Sequence, residues 1–197
     1  MVDMVVAKIL GGGDNNSYMY NPKYPHCCSS CHFATKQEVN PEFRLSRQRY
    51  DDSYINLRPV RKQYDVSYTC DHYLIVSKKF KQFCEELSYK NVVFHSLPQE
   101  PDYSFLKSLK TIPLDYVRRN VQFGSLCKVC NRYDYVAGAT PSYIQRGFVM
   151  EENSFYRSEY EFGSYNQKSS LIIVSLQMAK DLKAQKFKGL FFNDVLE

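Results

Sequence analysis

The chain has 197 residues, of which 44% are hydrophobic and 24% are charged, and its formal net charge is +5. This composition is typical of a globular protein with a substantial core, and it excludes wholesale disorder. No apolar run reaches the roughly 20 residues of a transmembrane helix. The apolar first ten residues carry Asp3 and Lys8, so they predict a first strand and not a signal peptide. We therefore expect a cytoplasmic protein that does not bind a membrane.

The most informative motifs are two CxxC pairs, Cys28-x-x-Cys31 and Cys127-x-x-Cys130. Thiolates at this spacing are typical ligands of Zn²⁺, which takes four of them in a closed tetrahedral site. The seven cysteines of the chain are an odd number and do not fit an extracellular disulfide framework. We therefore predict one structural Zn²⁺ ion, held by these four cysteines.

Two alternatives remain open at these motifs. Cys27, His26 or His32 can replace a predicted ligand, because all three flank the first pair. The cysteines can also be reduced buried thiols or a redox pair. A thioredoxin-like pair needs a helix N-terminus directly after a strand, whereas the residues before both pairs predict turns.

An internal repeat links the two halves of the chain. Residues 74–94 match residues 172–192 without a gap at an offset of 98, and the cysteine pairs repeat at an offset of 99. In each copy a short apolar run ends in a serine, Ser77 or Ser175, and a helical pattern follows. Serine is a favourable N-cap, so each copy predicts a strand, a capped helix and a second strand.

The helix of the first copy has one apolar face, formed by residues at the i, i+3, i+4 and i+7 spacing of a helix: Phe80, Phe83, Cys84 and Leu87. A helix of this kind must bury its face against a sheet. We therefore predict an α+β fold of two tandem similar units, each with a mixed sheet and one main helix. The first unit covers residues 1–97, a linker covers 98–112, and the second unit covers 113–197.

The sequence offers no positive case for an enzyme. It contains neither G-x-S-x-G nor H-E-x-x-H, and its paired acidic residues are better explained as surface charge. We therefore predict that the protein is not an enzyme. The basic residues form short clusters mixed with acids, which favours solvated helix faces over a nucleic-acid patch.

The repeated pattern resembles the bacterial double-CxxC immunity-type proteins that are encoded beside polymorphic toxins. The resemblance rests on the two CxxC pairs, on the Leu-Ile-Ile-Val-Ser run of 171–175 with the Lys-Gly-Leu-Phe-Phe run of 188–192, and on residues 155–159 before them. It covers most of residues 18–197. The family usually has glycine directly after the second cysteine of each pair, where this chain has His32 and Asn131.

The resemblance implies an immunity protein that binds a cognate toxin and neutralises it by stoichiometric occlusion. Tyrosine and arginine dominate interface hot spots, so the candidate partner-binding residues are five aromatic or basic ones: Tyr143, Arg146, Phe155, Tyr156 and Arg157. Since the chain is basic, we expect the contact face of the toxin to be acidic or neutral. The alternative function is a zinc-ribbon nucleic-acid-binding protein, and a metal-assisted hydrolase is a third possibility.

Overall fold

The computed structural model describes residues 3–19, 28–32, 40–46, 48–50, 57–59 and 63–197, and for 48–50 and 57–59 it describes the backbone alone. In this part of the chain the fold is α+β, as predicted, with many short strands and few helices.

The strands of the described residues, in chain order, are β1 Val5–Gly11, β2 Gly13–Asp14, β3 Gln48–Tyr50, β4 Leu57–Pro59, β5 Val66–Tyr68, β6 Leu74–Ser77, β7 Val92–Ser96, β8 Tyr103–Ser108, β9 Lys110–Ile112, β10 Gln122–Phe123, β11 Tyr135–Ala137, β12 Ser142–Tyr143, β13 Tyr156–Ser164, β14 Gln167–Ser175 and β15 Phe191–Leu196. The helices are α1 Lys78–Glu86, α2 Tyr116–Arg119 and α3 Leu176–Ala184. In the part of the chain that is described, no helix combines the length and the apolar character needed to cross a bilayer.

Two main sheets organise these strands. The large sheet has eight strands in the order β10-β11-β13-β14-β1-β15-β12, with β9 pairing in parallel with β13. The small sheet has five strands in the order β2-β5-β6-β8-β7. β3 and β4 form a separate antiparallel pair.

The central strands are buried on both faces, because their side chains alternate between two apolar clusters. In β14, Ile172 and Val174 pack into one cluster, whereas Ile173 between them packs into another. β6 alternates in the same way. This arrangement explains why both strands are continuous apolar runs in the sequence.

The first of these clusters, which we call the shared core, draws residues from both sheets and from both α1 and α3. Its buried members are Leu10, Val66, Leu74, Val76, Phe80, Cys84, Leu106, Phe155, Ile172, Val174, Met178, Ala179, Leu182 and Phe187. Since residues from both predicted units contribute to it, their stabilities depend on the same packing.

Both main helices begin at the predicted serines. The hydroxyl oxygen of Ser77 accepts a hydrogen bond from the amide of Phe80 at 3.2 Å, and that of Ser175 accepts one from the amide of Met178 at 3.1 Å. Each serine thereby satisfies an amide that has no partner within its helix.

The predicted apolar face of α1 is confirmed for three of its four residues. Phe80 and Cys84 are fully buried, and Phe83 packs partly buried against the shared core. Leu87 is 43% exposed, because it is the C-cap residue and follows the last helical turn.

The structure corrects the predicted organisation of the chain at two places. Residues 98–112 are not a linker, because they include β8, which pairs with β6 and β7, and β9, which pairs with β13. β1 lies in the predicted first unit, yet it pairs with β14 and β15 of the second half. Hydrogen-bonded sheets therefore cross both predicted boundaries.

Candidate metal centre

The fold brings the two CxxC pairs together from opposite halves of the chain. The four Sγ atoms all lie within 4.8 Å of one another. The Sγ atoms of Cys28 and Cys127 are 3.8 Å apart, and those of Cys31 and Cys130 are 3.7 Å apart. A tetrahedral Zn²⁺ with Zn–S bonds of about 2.3 Å places its sulfur ligands ~3.8 Å apart. The same separations are far longer than a disulfide bond of about 2.05 Å, so the cluster has the spacing of metal ligands.

Each CxxC pair forms the same backbone turn. The amide of His32 donates to the carbonyl of Cys28 at 2.9 Å, and the amide of Asn131 donates to the carbonyl of Cys127 at 2.8 Å. His32 has φ of 57° and Asn131 has φ of 54°, so both adopt the left-handed conformation. Asparagine tolerates this conformation better than histidine does. Both CxxC pairs therefore form this turn without a glycine directly after the second cysteine.

The second pair lies at the tip of a hairpin between β10 and β11. The amide of Cys127 donates to the carbonyl of Arg132 at 2.9 Å, which closes the turn. At the base of the hairpin, the Asp134 carboxylate accepts from the amide of Ser125 at 2.7 Å. A Cβ atom on Gly124 would overlap this carboxylate and the ring of Tyr135, so a larger residue there would displace both side chains.

Two contacts tie the loop of this hairpin to the neighbouring strands β13 and β14 of the same sheet. The Arg132 guanidinium donates to the Glu161 carboxylate on β13 at 2.6 Å. The ammonium of Lys168, on β14, donates to the carbonyl of Tyr133. Lys168 is only 1% exposed, and this burial lowers the pKa of its ammonium group. Contacts on both strands thus hold the second cysteine pair in place.

The backbone of the turns also favours thiolates. Amide groups of Cys31 and Ser30 point at the sulfur of Cys28 and lower its pKa. The amides of Cys130 and Val129 do the same for Cys127 and lower its pKa to about 6. Burial raises the pKa of Cys130 to about 12. Metals bind the deprotonated sulfur. The amides of each turn therefore favour the metal-binding thiolate form of its first cysteine, Cys28 or Cys127.

Of the three alternative ligands that flank the first pair, the structure describes His32 alone. Among the described residues, the cluster consists of the four predicted cysteines and does not include His32. Cys27 and His26 lie outside the described residues.

The predicted partner-binding residues do not form one surface. Phe155 and Tyr156 have 0% exposure, so they belong to the core, a correction of the expectation that they lie at an interface. Their rings lie in different apolar clusters, that of Phe155 in the shared core and that of Tyr156 in the cluster that also contains Ile173. Tyr143 is half-buried, Arg146 is exposed, and half-buried Arg157 lines a cavity between the sheets.

Sequence reasoning missed a groove beside α3, which we call the lysine groove. Its cavity is about 510 Å³, and it is lined by Lys8, Leu176, Ala179, Lys180, Lys183, Lys186, Phe187, Leu190, Phe191 and Phe192. The available signal is the repetition of lysine beside apolar residues along α3 and the segment that joins it to β15. In the sequence alone this pattern predicts a solvated helix face, because it does not reveal that β15 places phenylalanines next to those lysines.

Comparison with models of known protein families finds no match for this chain, and comparison with curated proteins finds no significant match.

Proposed function

We propose that Cys28, Cys31, Cys127 and Cys130 hold one Zn²⁺ ion in a structural site. The observation that supports this proposal is the separation of their sulfur atoms, 3.7 and 3.8 Å across the two pairs. Four thiolates suit Zn²⁺ because this borderline-soft ion prefers sulfur. With all four positions taken by protein, the ion has no position left for a substrate, which favours a structural role over catalysis.

The ion would tie the loop of the first pair, between β2 and β3, to the β10–β11 hairpin. We propose that this reflects a tandem duplication, in which each unit supplies one CxxC turn and one strand–serine–helix–strand segment. The matched turns at His32 and Asn131 and the matched caps at Ser77 and Ser175 support it. In the folded protein the duplicated parts would then act as one body around a shared core.

For the function of the whole protein, we propose binding and neutralisation of a cognate protein toxin by occlusion. This proposal rests on the resemblance to double-CxxC immunity proteins. The lysine groove is the surface that supports it best. Phe191 is 50% exposed there, and Lys180, Lys183 and Lys186 are all exposed around the apolar floor. An apolar surface rimmed by one sign of charge is typical of a protein-binding site.

The matching partner is an acidic segment of the toxin with apolar side chains. The apolar residues would fill the groove, while the carboxylates would lie against the lysine rim. Electrostatic attraction of this kind mainly raises the association rate, and salt screens it. We therefore expect the complex to form more slowly as the salt concentration rises.

The test uses the protein product of a toxin gene adjacent to the gene for this chain. The double variant Lys180→Glu/Lys183→Glu should weaken toxin binding by about 2 kcal/mol or more, because two attractive contacts become repulsive. The matched control is Lys78→Glu/Lys90→Glu, which makes the same change of net charge at exposed positions outside the groove. Surface plasmon resonance at two salt concentrations separates the effect on association from the effect on dissociation.

Equal weakening by both double variants would contradict the lysine groove as the site. Absence of any toxin binding, together with steeply salt-dependent binding to a random oligonucleotide, would instead favour the nucleic-acid alternative.

A further inference from the structure

A second cavity, of about 290 Å³, lies where the small sheet meets β13 and β14 of the large sheet. β8 pairs with β6 through residues 103–105, but it continues to Ser108 beside β7. The last residues of β8 therefore extend past β6 and leave space between the sheets. Apolar side chains form much of the wall, among them Leu74, Leu106 and Ile172.

The cavity contains a buried polar group without a partner. Ser108 is 1% exposed, and its hydroxyl has no hydrogen-bond partner in the described structure. Burying a hydroxyl in this state costs free energy, and native proteins rarely leave one so. Because Ser108 lines the cavity, a ligand bound there can supply the missing partner.

Two side chains of the lining bring positive charge without an acidic partner. Within the described part of the chain, neither Arg157 nor Lys107 forms an ion pair, and both are half-buried. The register between β13 and β14 shifts between Arg157 and Glu161, so Arg157 lies at the start of an irregular stretch of β13. Irregularities of this kind re-aim side chains and are common beside binding sites. The lining carboxylate of Glu161 is already paired with Arg132 at 2.6 Å.

We propose that this cavity binds a small organic anion, in which one carboxylate or phosphate group is joined to a compact apolar or aromatic body. The guanidinium of Arg157 binds the oxyanion, since its planar fork matches such groups. The hydroxyl of Ser108 donates to the same ligand. The apolar body packs against Leu106 and Ile172, and the volume is near the lower end for small-molecule sites.

The test titrates the full zinc-loaded chain with phenyl phosphate, with benzoate, and with neutral benzyl alcohol as the uncharged control. Amide NMR shifts should show saturable binding of at least one anion, with the changes centred on β8, β13 and β14, and no comparable effect of benzyl alcohol. The two anions distinguish a phosphate site from a carboxylate site. Arg157→Gln should weaken binding by roughly tenfold or more, whereas the exposed-residue control Lys90→Gln should leave it unchanged.

Ser108→Ala separates this role from a purely structural one. Removing an unpartnered buried hydroxyl should raise the Tm of the free protein by about 2–4 °C, and the same change should weaken anion binding. No saturable shift with either anion at millimolar concentration would overturn the proposal. Unchanged affinity in Arg157→Gln would overturn it as well.

Discussion

Serine in place of Cys28 is expected to release the metal and to destabilise the whole protein, and serine in place of Cys127 is expected to do the same. In the proposed site each cysteine would be one of four ligands of a shared ion, so the loss of either one would remove a quarter of the ligands. If free zinc exceeds its Kd by 1,000-fold, the bound ion contributes about 4 kcal/mol of stability, and most of this would be lost. Metal content by mass spectrometry and unfolding in urea, both under reducing conditions, measure the two effects.

The matched control is Cys70→Ser. Cys70 is a partly exposed free cysteine that does not belong to the cluster. This variant should keep its full metal content and unfold within about 0.5 kcal/mol of the parent protein, as surface substitutions usually do. Full metal retention in either Cys28→Ser or Cys127→Ser would contradict the shared site.

Alanine in place of Phe80 should destabilise both halves of the chain together, by about 3–5 kcal/mol. Phe80 has 0% exposure, and its ring lies 5.1 Å from the ring of Phe187, which follows α3 in the second half. The cavity left by the ring would therefore open the shared core on both sides. Hydrogen exchange should show that the slowest amides of α1 and of α3 lose the same free energy of opening.

Leu87→Ala is the control for this change, since Leu87 follows the same helix but is 43% exposed. Its expected cost is within about 1 kcal/mol. Loss of protection in α1 with unchanged protection in α3 would show two independently stable units, and it would contradict a common core.

Local features of this fold were predictable from the sequence. Ser77 and Ser175 cap helices because a hydroxyl before an apolar helical pattern satisfies a free amide three residues later, which is a local interaction. The cysteine cluster was also predictable, because two CxxC pairs are a typical ligand set for one metal ion. A shared ion requires the two pairs to lie together, and Cys28 and Cys127, 99 positions apart, do so.

Strand partners were not predictable in the same way. β1 pairs with β14 and β15, more than 160 residues away, and a strand pattern alone does not indicate which edge it joins. Pro98 and Pro101 at the start of residues 98–112 predict a linker, yet β8 begins at Tyr103, two residues after Pro101. Phe155 and Tyr156 have the residue types of an interface, but aromatic residues are equally suited to a core.

The central claim, one Zn²⁺ ion held by both CxxC pairs, is tested most directly by X-ray absorption at the zinc edge on the purified, reduced protein. The predicted result is one zinc per chain with four sulfur ligands at about 2.3 Å. A nitrogen or oxygen atom among the ligands, or purified reduced protein that holds no zinc, would contradict the claim.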